Sequence, residues 1–590
     1  MVYVVSGALA FLVLTGVFLS ISLPDTIPQI STEPTFFDGS RAYRAAQELA
    51  VSYPERHTGS ESSQAASGWL RSRLDDLNIP YSLQTFNARL GDEEITLENV
   101  VVTLPGETSD ALVLTAPRAH RADVELSPIA GATGTAMLLD LIQVFAGRPH
   151  DKTLVFISTE GAHYGGVGLS YYLDNRTEGG SVRSIISTHG LGKEGREVLS
   201  GGVTGADTST PGWLVQLTSV VLATADIRLE VPSLPDQVVL HALRLASGEQ
   251  VAGLTRDIPT LVLYDDRDGT VTPEGLANQG ALLERLLLSL DEGSTVPTAS
   301  PAALVLASGR FLTKRSLSLL GYLMLVPAGV MAFTWLAVIQ IKPESWIRYL
   351  RNVLSFFLPP AAWLGLAALL AHAGLLPRYP IIAPAAASGA TGPSVFPTLV
   401  LIVAAVALFV ACRHYLGYLR PREPLVMAEM TKLATGLLVL LAGLILLVSH
   451  SAFSLLTAIT AAWLWPLSSC FYEPKYFGFG RWPQFRTNAW LLLAGLLSPV
   501  LIYAFLVFRT PVGWTDGWWY LLIQTVSGAY GIRGPLAAAL ITAGFLILLG
   551  VKRLRLIPVE SLEESGSATY EAPPRVRRLG RRPPDAEPRT

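Results

Sequence analysis

Cysteine is almost absent from this sequence. The 590 residues include only Cys412 and Cys470, and both lie within apolar segments. Two isolated cysteines of this kind exclude a disulfide framework and a cysteine-ligated metal site. They also leave the more polar N-terminal half without a cysteine nucleophile. A serine nucleophile is not indicated either, because the sequence contains no G-x-S-x-G elbow.

Charge is also scarce and has no dominant sign. Only 15% of the residues are charged, 50% are hydrophobic, and the formal net charge is -3. This composition excludes an ordinary soluble protein and predicts an integral membrane protein with one sizeable globular part. No basic globular face is evident, so we expect membrane lipid and no nucleic acid among its partners.

Long apolar runs divide the chain into segments. Residues 1–23 contain an uncharged run that can cross roughly 30 Å of hydrocarbon. This run predicts an uncleaved transmembrane anchor, with a cleaved signal peptide as the alternative. Residues 24–300 form the predicted globular domain and residues 301–315 a linker. A membrane domain at 316–552 is predicted to have seven more spans, at 316–341, 352–375, 395–416, 426–449, 452–472, 489–509 and 533–551.

The charges between the eight predicted spans give their orientation. Four basic clusters all fall on the N-terminal side, at residues 342–351, 413–422, 475–486 and 552–555. By the positive-inside rule, this side and both termini are cytoplasmic. The globular domain is then extracytoplasmic in a prokaryote, or lumenal in the endoplasmic reticulum. The Arg- and Pro-rich residues 553–590 predict a disordered cytoplasmic tail.

The apolar periodicity of residues 24–300 predicts an α/β fold. Strands are predicted at 98–104, 111–116, 151–158, 182–187 and within 257–266, and helices at 38–53, 60–77, 134–145, 166–173, 213–222, 234–246 and 273–290. Strands that alternate with helices indicate a mostly parallel sheet with helices on both faces. Ligands usually bind at the carboxyl ends of such strands, here near residues 117–120 and 159–165.

Six motifs between residues 53 and 290 carry a resemblance to a known family: RHTGS at 56–60, ENVV at 98–101, LVLTAP at 112–117, GATGTAMLLDL at 131–141, LVFISTEGAHYGGVG at 154–168 and DIPTLVLYDD at 257–266. Together they resemble the family-28 zinc aminopeptidases. The resemblance implies an aminopeptidase-like α/β domain. In active members of that family, two zinc ions are held by His, Asp and Glu side chains, and one Glu is the general base.

At the matching positions of this sequence the ligands are replaced. Pro117 stands where the first His is expected, Thr133 lies in the segment that lacks the bridging Asp, and His163 is in place of a Glu. His189 stands near the position of the later Asp. The resemblance thus implies a crevice without catalytic residues, metal or other cofactor, lined by Pro117, His120, Thr133, Glu160, His163, His189, Asp265, Asp266 and Asp268.

The layout of the whole chain resembles the Gaa-type subunit of glycosylphosphatidylinositol (GPI) transamidase. The local matches are TLENVVVTL, LVLTAP and LVFISTEGAHYGGVGLSYYL. The resemblance implies a non-catalytic scaffold, a pseudo-peptidase that binds a glycolipid, a peptide or partner subunits such as a cysteine-protease-type chain. One alternative is an active extracytoplasmic zinc aminopeptidase with rearranged His and Asp ligands. Another is a lipid- or polymer-handling membrane protein with an outer cap domain.

Two features of the predicted membrane domain have two interpretations each. Glu429 and Lys432, at i and i+3 near the start of a span, indicate either an intramembrane site or a structural ion pair near the interface. The aromatic residues at 514–520 predict an aromatic belt, with an interfacial helix or a re-entrant segment as the alternative.

Overall fold

The computed structural model describes two groups of elements, one before residue 314 and one after residue 342. The residues described are 11–12, 15–16, 21–22, 27–90, 93–119, 127–177, 179–195, 197–205, 208–246, 248–265, 267–292, 302–306, 310–313, 315–319, 321–322, 343–376, 395–416, 441–442, 445, 500, 503–508 and 513–554. The predicted span 452–472 lies outside them, as do most of the anchor, of the spans 316–341, 426–449 and 489–509, and of the C-terminal tail.

The first two helices begin where the sequence provides capping side chains. α1 (Gly39–Ser52) follows Asp38, whose carboxylate accepts hydrogen bonds from the backbone N–H groups of the first turn. α2 (Glu61–Asp76) follows Ser60, whose hydroxyl accepts from the Ser63 N–H at 3.1 Å. Such caps satisfy N–H groups that the helix itself leaves without acceptors. The predicted helices at 38–53 and 60–77 are therefore confirmed.

Eight strands form the central sheet: β1 (Ser82–Leu90), β2 (Glu93–Leu104), β3 (Thr108–Pro117), β4 (Lys152–Thr159), β5 (Val182–His189), β6 (Val198–Gly202), β7 (Arg228–Glu230) and β8 (Thr260–Tyr264). Their spatial order is β1-β2-β4-β3-β5-β8-β6-β7. Strands β4, β3, β5 and β8 are parallel neighbours. The pairs β1–β2, β2–β4 and β6–β8 are antiparallel.

The sheet is therefore mixed: the four central strands and the edge pair β6–β7 are parallel, whereas three pairs of neighbouring strands are antiparallel. The prediction of a mostly parallel sheet missed these antiparallel pairs. β1 was not predicted, although only two residues separate it from β2 in the sequence. A connection this short joins antiparallel strands, whereas parallel strands need a crossover of a dozen or more residues. The antiparallel edge thus follows from a hairpin that the alternation of strands and helices did not indicate.

Six further helices cover the sheet: α3 (Ala130–Ala146), α4 (Val167–Asn175), α5 (Gly212–Ala223), α6 (Leu234–Leu243), α7 (Glu249–Leu254) and α8 (Pro273–Glu292). Successive strand residues point to opposite faces. Leu114 of β3 belongs to the core with α1, α2, α3, α5 and α8, whereas its neighbour Val113 packs in the core with α4 and α7. Helices on both faces are therefore confirmed.

Helix α3 lies unusually close to β5 at Gly134. A Cβ atom on Gly134 would be 2.6 Å from the carbonyl oxygen of Thr188. We expect Gly134→Ala to lower the free energy of unfolding of the full-length protein by about 1–3 kcal/mol, because backbone must move to accept the methyl group. The matched control is Gly147→Ala at the end of the same helix, where no atom lies within 4 Å. Urea unfolding in detergent would measure both, and equal effects would contradict the prediction.

The predicted linker at 301–315 contains a small sheet instead. β9 (Ala302–Val305) pairs antiparallel with β10 (Phe311–Thr313), which pairs in turn with the two-residue strand Ile21–Ser22. The side chains of β9 are buried, and Gln237 of α6 donates to the Val305 carbonyl and accepts from its N–H. The apolar side chains of this segment and its hydrogen bonds to α6 make it part of the α/β domain.

Four helices are described after residue 342: α9 (Pro343–His372), α10 (Val395–Leu416), α11 (Trp514–Val526) and α12 (Arg533–Leu554). Two segments, Val353–His372 and Val395–Leu416, are long and apolar enough to cross a membrane. They coincide with the predicted spans 352–375 and 395–416. Within the described part of the chain there are thus two candidate spans, against the eight predicted for the whole chain. α12 is a helix at the predicted span 533–551.

Helices α9 and α10 run antiparallel. The Trp363 indole N–H donates to the Leu401 carbonyl at 2.7 Å. Towards the other ends of the helices, Arg413 donates to the Ser355 hydroxyl at 3.2 Å and lies over the Phe356 ring. The end of α9 and the beginning of α10 therefore lie on the same side of this pair.

Candidate functional site

The carboxyl ends of the four parallel strands meet at one edge of the sheet. Pro117, the last residue of β3, is in register with Thr159, the last residue of β4. His189 at the end of β5 is likewise in register with Tyr264 at the end of β8. Strand ends of this kind are the usual position of ligand sites in α/β proteins. The structure thus places the predicted residues Pro117 and His189 at this edge.

Three rings form a cluster at this edge. The imidazoles of His163 and His189 have their centroids 6.1 Å apart in an edge-to-face arrangement. His189 also stacks on Tyr264, with centroids 5.3 Å apart and an angle of 7° between the rings. All three side chains are partly exposed. The sequence predicted that His163 and His189 approach each other, but it gave no indication of Tyr264.

Glu160 lies behind this edge and is fully buried. Its carboxylate accepts from the Gly59 N–H at 2.8 Å, from the Glu98 N–H at 3.3 Å and from the Arg118 guanidinium at 3.3 Å. Arg118 is also fully buried. Ionised side chains are rarely found at full burial unless they are paired, and here each is the other's partner. The predicted crevice residue Glu160 is therefore part of a buried ion pair.

Backbone carbonyls complete the surroundings of Arg118. Its guanidinium also donates to the carbonyls of Glu98 at 2.7 Å and Ser63 at 3.1 Å, and to the hydroxyl of Ser158 at 3.2 Å. A second buried arginine, Arg56 of the RHTGS motif, donates from Nε to the Arg118 carbonyl. Burial, with a contribution from the Arg118 charge, lowers the pKa of Arg56 to about 10. A second buried cationic side chain thus contacts the residue that follows Pro117.

The remaining predicted residues have different surroundings. Asp265 is buried, and its carboxylate accepts from the N–H and the Nε of Arg267, both at 3.2 Å. Thr133 is buried in the first turn of α3 and donates back to the Ala130 carbonyl at 3.0 Å. Asp268 is exposed. His120, Asp266, Glu429 and Lys432 lie outside the described residues.

Two of the predicted acids at this edge are paired with arginines. Glu160 is paired with Arg118, and Asp265 is paired with Arg267. Among the residues that the structure describes, no group of three or more His, Cys, Asp or Glu side chains is placed to hold a metal ion.

One buried acid near this edge was not predicted. Glu249, the first residue of α7, accepts hydrogen bonds from the hydroxyls of Thr115 on β3, Thr159 on β4 and Ser187 on β5. The Ser187 bond measures 2.5 Å. Burial raises the pKa of Glu249, although the three hydroxyls act in the opposite direction. The sequence held one signal for such an acceptor: each of three apolar strands carries a hydroxyl side chain near its end. Buried hydroxyls need hydrogen-bond partners.

Comparison with known proteins gives similarity to solved structures only. No protein family and no curated protein matches the sequence. A glutaminyl cyclase from an Acidobacteriales bacterium is 13% identical, with 45% of this chain and 99% of that chain covered and a TM-score of 0.35. The zinc aminopeptidase BSAP from Bacillus subtilis is 11% identical, with coverage of 45% and 99% and a TM-score of 0.36.

A leucine aminopeptidase precursor from Bacteroides thetaiotaomicron is also similar. It is 13% identical, 44% of this chain and 99% of that chain are covered, and the TM-score is 0.35. Identities and TM-scores this low say nothing about the activity of this chain.

Proposed function

We propose that this protein is a non-catalytic membrane scaffold, in a role like that of the Gaa-type subunit of GPI transamidase. Its α/β domain would bind a glycolipid head group, a peptide or a partner subunit at the carboxyl edge of the sheet. The observation that carries the proposal is the Arg118–Glu160 pair. The acid nearest the position of the general base is fully buried and bonded to a buried guanidinium.

A general base must reach the proton that it removes, directly or through one water molecule. Glu160 is fully buried, and its two oxygens accept from Gly59, Glu98 and Arg118. Its carboxylate is therefore neither accessible to a substrate nor available to activate water. This supports a pseudo-peptidase rather than an aminopeptidase.

Local charge also opposes a dinuclear metal centre. Unlike charges attract and like charges repel strongly where water is excluded. The buried Arg118 directly follows Pro117, where the resemblance expects the first metal ligand, and the buried Arg56 donates to the Arg118 carbonyl. Among the residues that the structure describes, the carboxylate of Glu160 forms an ion pair with Arg118. The edge is thus a poor environment for two divalent cations.

The ring cluster is suited to binding without chemistry. His163, His189 and Tyr264 present aromatic faces together with polar ring atoms, and all three are partly exposed. Amphipathic rings of this kind contribute large contact area and a few oriented hydrogen bonds. A sugar-containing head group or an extended peptide matches these properties.

The proposed location is an integral membrane protein with cytoplasmic termini and an extracytoplasmic or lumenal α/β domain. The packing between the two parts of the chain supports this orientation. Leu243 and Leu245, beside the end of α6, pack with Ala371 near the end of α9 and with Leu401 near the beginning of α10. The positive-inside rule assigns these ends of α9 and α10 to the non-cytoplasmic side, where it also assigns the α/β domain.

The scaffold role predicts no turnover. Full-length protein purified in detergent is expected to hold less than stoichiometric zinc and to leave a panel of peptides unchanged, including peptides with N-terminal glutamine. Metal analysis and peptide-hydrolysis assays would measure this. Stoichiometric zinc with turnover, both abolished in the His163→Ala/His189→Ala double variant, would establish the aminopeptidase alternative instead.

The same double variant tests the binding edge. Under the scaffold role, a glycolipid or a membrane subunit such as a cysteine-protease-type chain co-purifies with the native protein and is lost from the His163→Ala/His189→Ala variant. The matched control is Val51→Ala, at an exposed position of α1. Recovery of bulk lipid alone, equal in all three proteins, would favour the lipid-handling alternative.

A further inference from the structure

The aromatic helix α11 is too short to cross a membrane. It has 13 residues, Trp514–Val526, and at 1.5 Å per residue this gives about 20 Å, against a hydrocarbon core of about 30 Å. It lies between the short helical segment 503–508 and the long helix α12. A helix of this length must lie along a surface or inside the protein.

One side of α11 is buried beneath the α/β domain. Trp519 is 1% exposed, and with Ile523 it packs against Val239 and Leu243 of α6. Leu376, which follows α9, belongs to the same cluster. This side of α11 is therefore occupied by protein, both from the domain and from the end of a candidate span.

The other side of α11 presents exposed aromatic rings. Trp514 is 53% exposed and Trp518 is 41% exposed, and residues at i and i+4 share one face of a helix. Phe508, which is 78% exposed, lies edge-on to Trp514 with ring centroids 5.9 Å apart. Three large rings thus form one exposed apolar surface, larger than scattered surface residues normally provide.

Tyr503 holds this aromatic surface together. Its hydroxyl donates to the Trp514 carbonyl and accepts from the Trp518 N–H at 3.0 Å. Its ring lies 5.5 Å from that of Trp514. A Cβ on Gly517 would be 3.1 Å from the Tyr503 hydroxyl oxygen, which is a tight contact. The rings therefore belong to a built surface.

Two hydrogen bonds attach the end of this segment to the α/β domain. The Tyr530 hydroxyl donates to the Leu243 carbonyl at 2.9 Å, and Arg244 donates to the Ala529 carbonyl at 2.6 Å. Arg244 has φ of 50° at the end of α6, a left-handed conformation that ends the helix and is uncommon outside glycine. The domain and the aromatic segment are thus joined at a fixed contact.

We infer that residues 503–508 and 513–530 form an aromatic platform in the head-group layer of the membrane, on the side of the α/β domain. Phe508, Trp514 and Trp518 enter the lipid, whereas Trp519 and Ile523 pack in the apolar cluster with α6. Trp and Tyr prefer this layer because one end of the ring system is apolar and the other is polar. The sequence 503–530 contains one basic and one acidic residue, Arg509 and Asp516, so the attraction does not depend on anionic lipid.

This inference rests on the chain being a membrane protein, but not on its role as a scaffold. The platform fixes the height of the α/β domain above the lipid whatever the carboxyl edge binds. A helix in the interface typically buries its apolar face about 5–10 Å into the boundary between head groups and acyl chains. Fluorophores attached to the platform therefore report on their depth directly.

The test uses full-length protein in phosphatidylcholine nanodiscs, with Cys412 and Cys470 replaced by serine. Single cysteines are introduced by Phe508→Cys, Trp514→Cys or Trp518→Cys and labelled with an environment-sensitive fluorophore. The matched control is Val51→Cys on α1, at a position that is 80% exposed. Lipids that carry a nitroxide near the head group are compared with lipids that carry it near the end of an acyl chain.

We expect the three platform labels to be quenched about twofold more by the shallow nitroxide than by the deep one. The Val51 label should be quenched by neither, and added anionic lipid should change nothing. Stronger quenching by the deep nitroxide, or a requirement for anionic lipid, would overturn the inference. The inference would also be overturned if the platform labels were quenched no more than the Val51 label. In that case water or a second protein, and not lipid, would cover the aromatic surface. Phe508→Cys keeps the test decisive if a Trp variant fails to fold.

Discussion

Replacement of Arg118 by alanine is expected to lower the free energy of unfolding by about 3–5 kcal/mol, because it leaves a buried carboxylate without its cation. Glu160 would keep two backbone N–H donors but lose the guanidinium. The carbonyls of Glu98 and Ser63 would also lose their donor. Buried polar groups left without partners add to the cost.

Urea unfolding of the full-length protein in detergent would measure this change. The matched control is Arg183→Ala, which removes an ion pair with Asp110 at the surface. Exposed pairs contribute at most about 1 kcal/mol. The double variant Arg118→Met/Glu160→Met should be more stable than Arg118→Ala, since it does not leave the buried carboxylate of Glu160 without its cation. Equal effects of Arg118→Ala and Arg183→Ala would show that the buried pair is not important for stability.

The comparison also bears on the proposed function. If Glu160 were a catalytic residue, the native protein would have an activity that the double variant lacks. If the pair is structural, the double variant should keep its fold and bind the same partner or head group as the native protein. The experiment therefore distinguishes a structural role of the pair from a catalytic one.

Local patterns were sufficient to predict most elements of the α/β domain. The predicted strand 151–158 differs from the observed strand by one residue at each end, and the predicted strand 111–116 differs by one residue at its C-terminal end. Such strands can be predicted because buried parallel strands are short continuous apolar runs. The capping residues Asp38 and Ser60 likewise fixed the starts of two helices. Parallel strands have adjacent carboxyl ends, so the approach of His163 to His189 also followed from sequence.

The remaining features depend on contacts between distant residues. Arg118 lies in the segment TAPRAH, and an arginine in such a segment is ordinarily exposed. Its burial depends on Ser63, Glu98 and Glu160, which are 20 to 55 residues away. Tyr264 was not indicated because its role comes from stacking on His189. The hydrophobic periodicity of a single segment does not reveal contacts with residues that are distant in the sequence.

Replacement of Glu249 by alanine is expected to destabilise the α/β domain by about 3 kcal/mol or more, because three buried hydroxyls would lose a shared acceptor and a cavity would remain. Thr115, Thr159 and Ser187 donate to this carboxyl from three adjacent strands. Glu249→Gln fills the same volume and keeps an oxygen acceptor, so its cost at neutral pH should be much smaller. Urea unfolding of the full-length protein would compare the two variants, and equal costs would contradict this role.

The pH dependence of stability tests the same carboxyl in a second way. Burial raises the pKa of Glu249 above its usual 4.5. A carboxyl with a raised pKa in the folded state binds its proton more tightly there than in the unfolded chain. Its contribution to stability is therefore complete below pH 4.5 and is lost as the pH rises through the folded pKa.

Glu249→Gln remains uncharged at every pH and should not show this loss. Burial also raises the pKa of Asp140 and of Glu284, but both residues are present in the native protein and in the variant. The difference between the two free energies of unfolding therefore isolates Glu249. We expect the native protein to lose stability relative to Glu249→Gln as the pH rises above 4.5. A difference that does not change with pH would show that the carboxyl has the same proton affinity in both states.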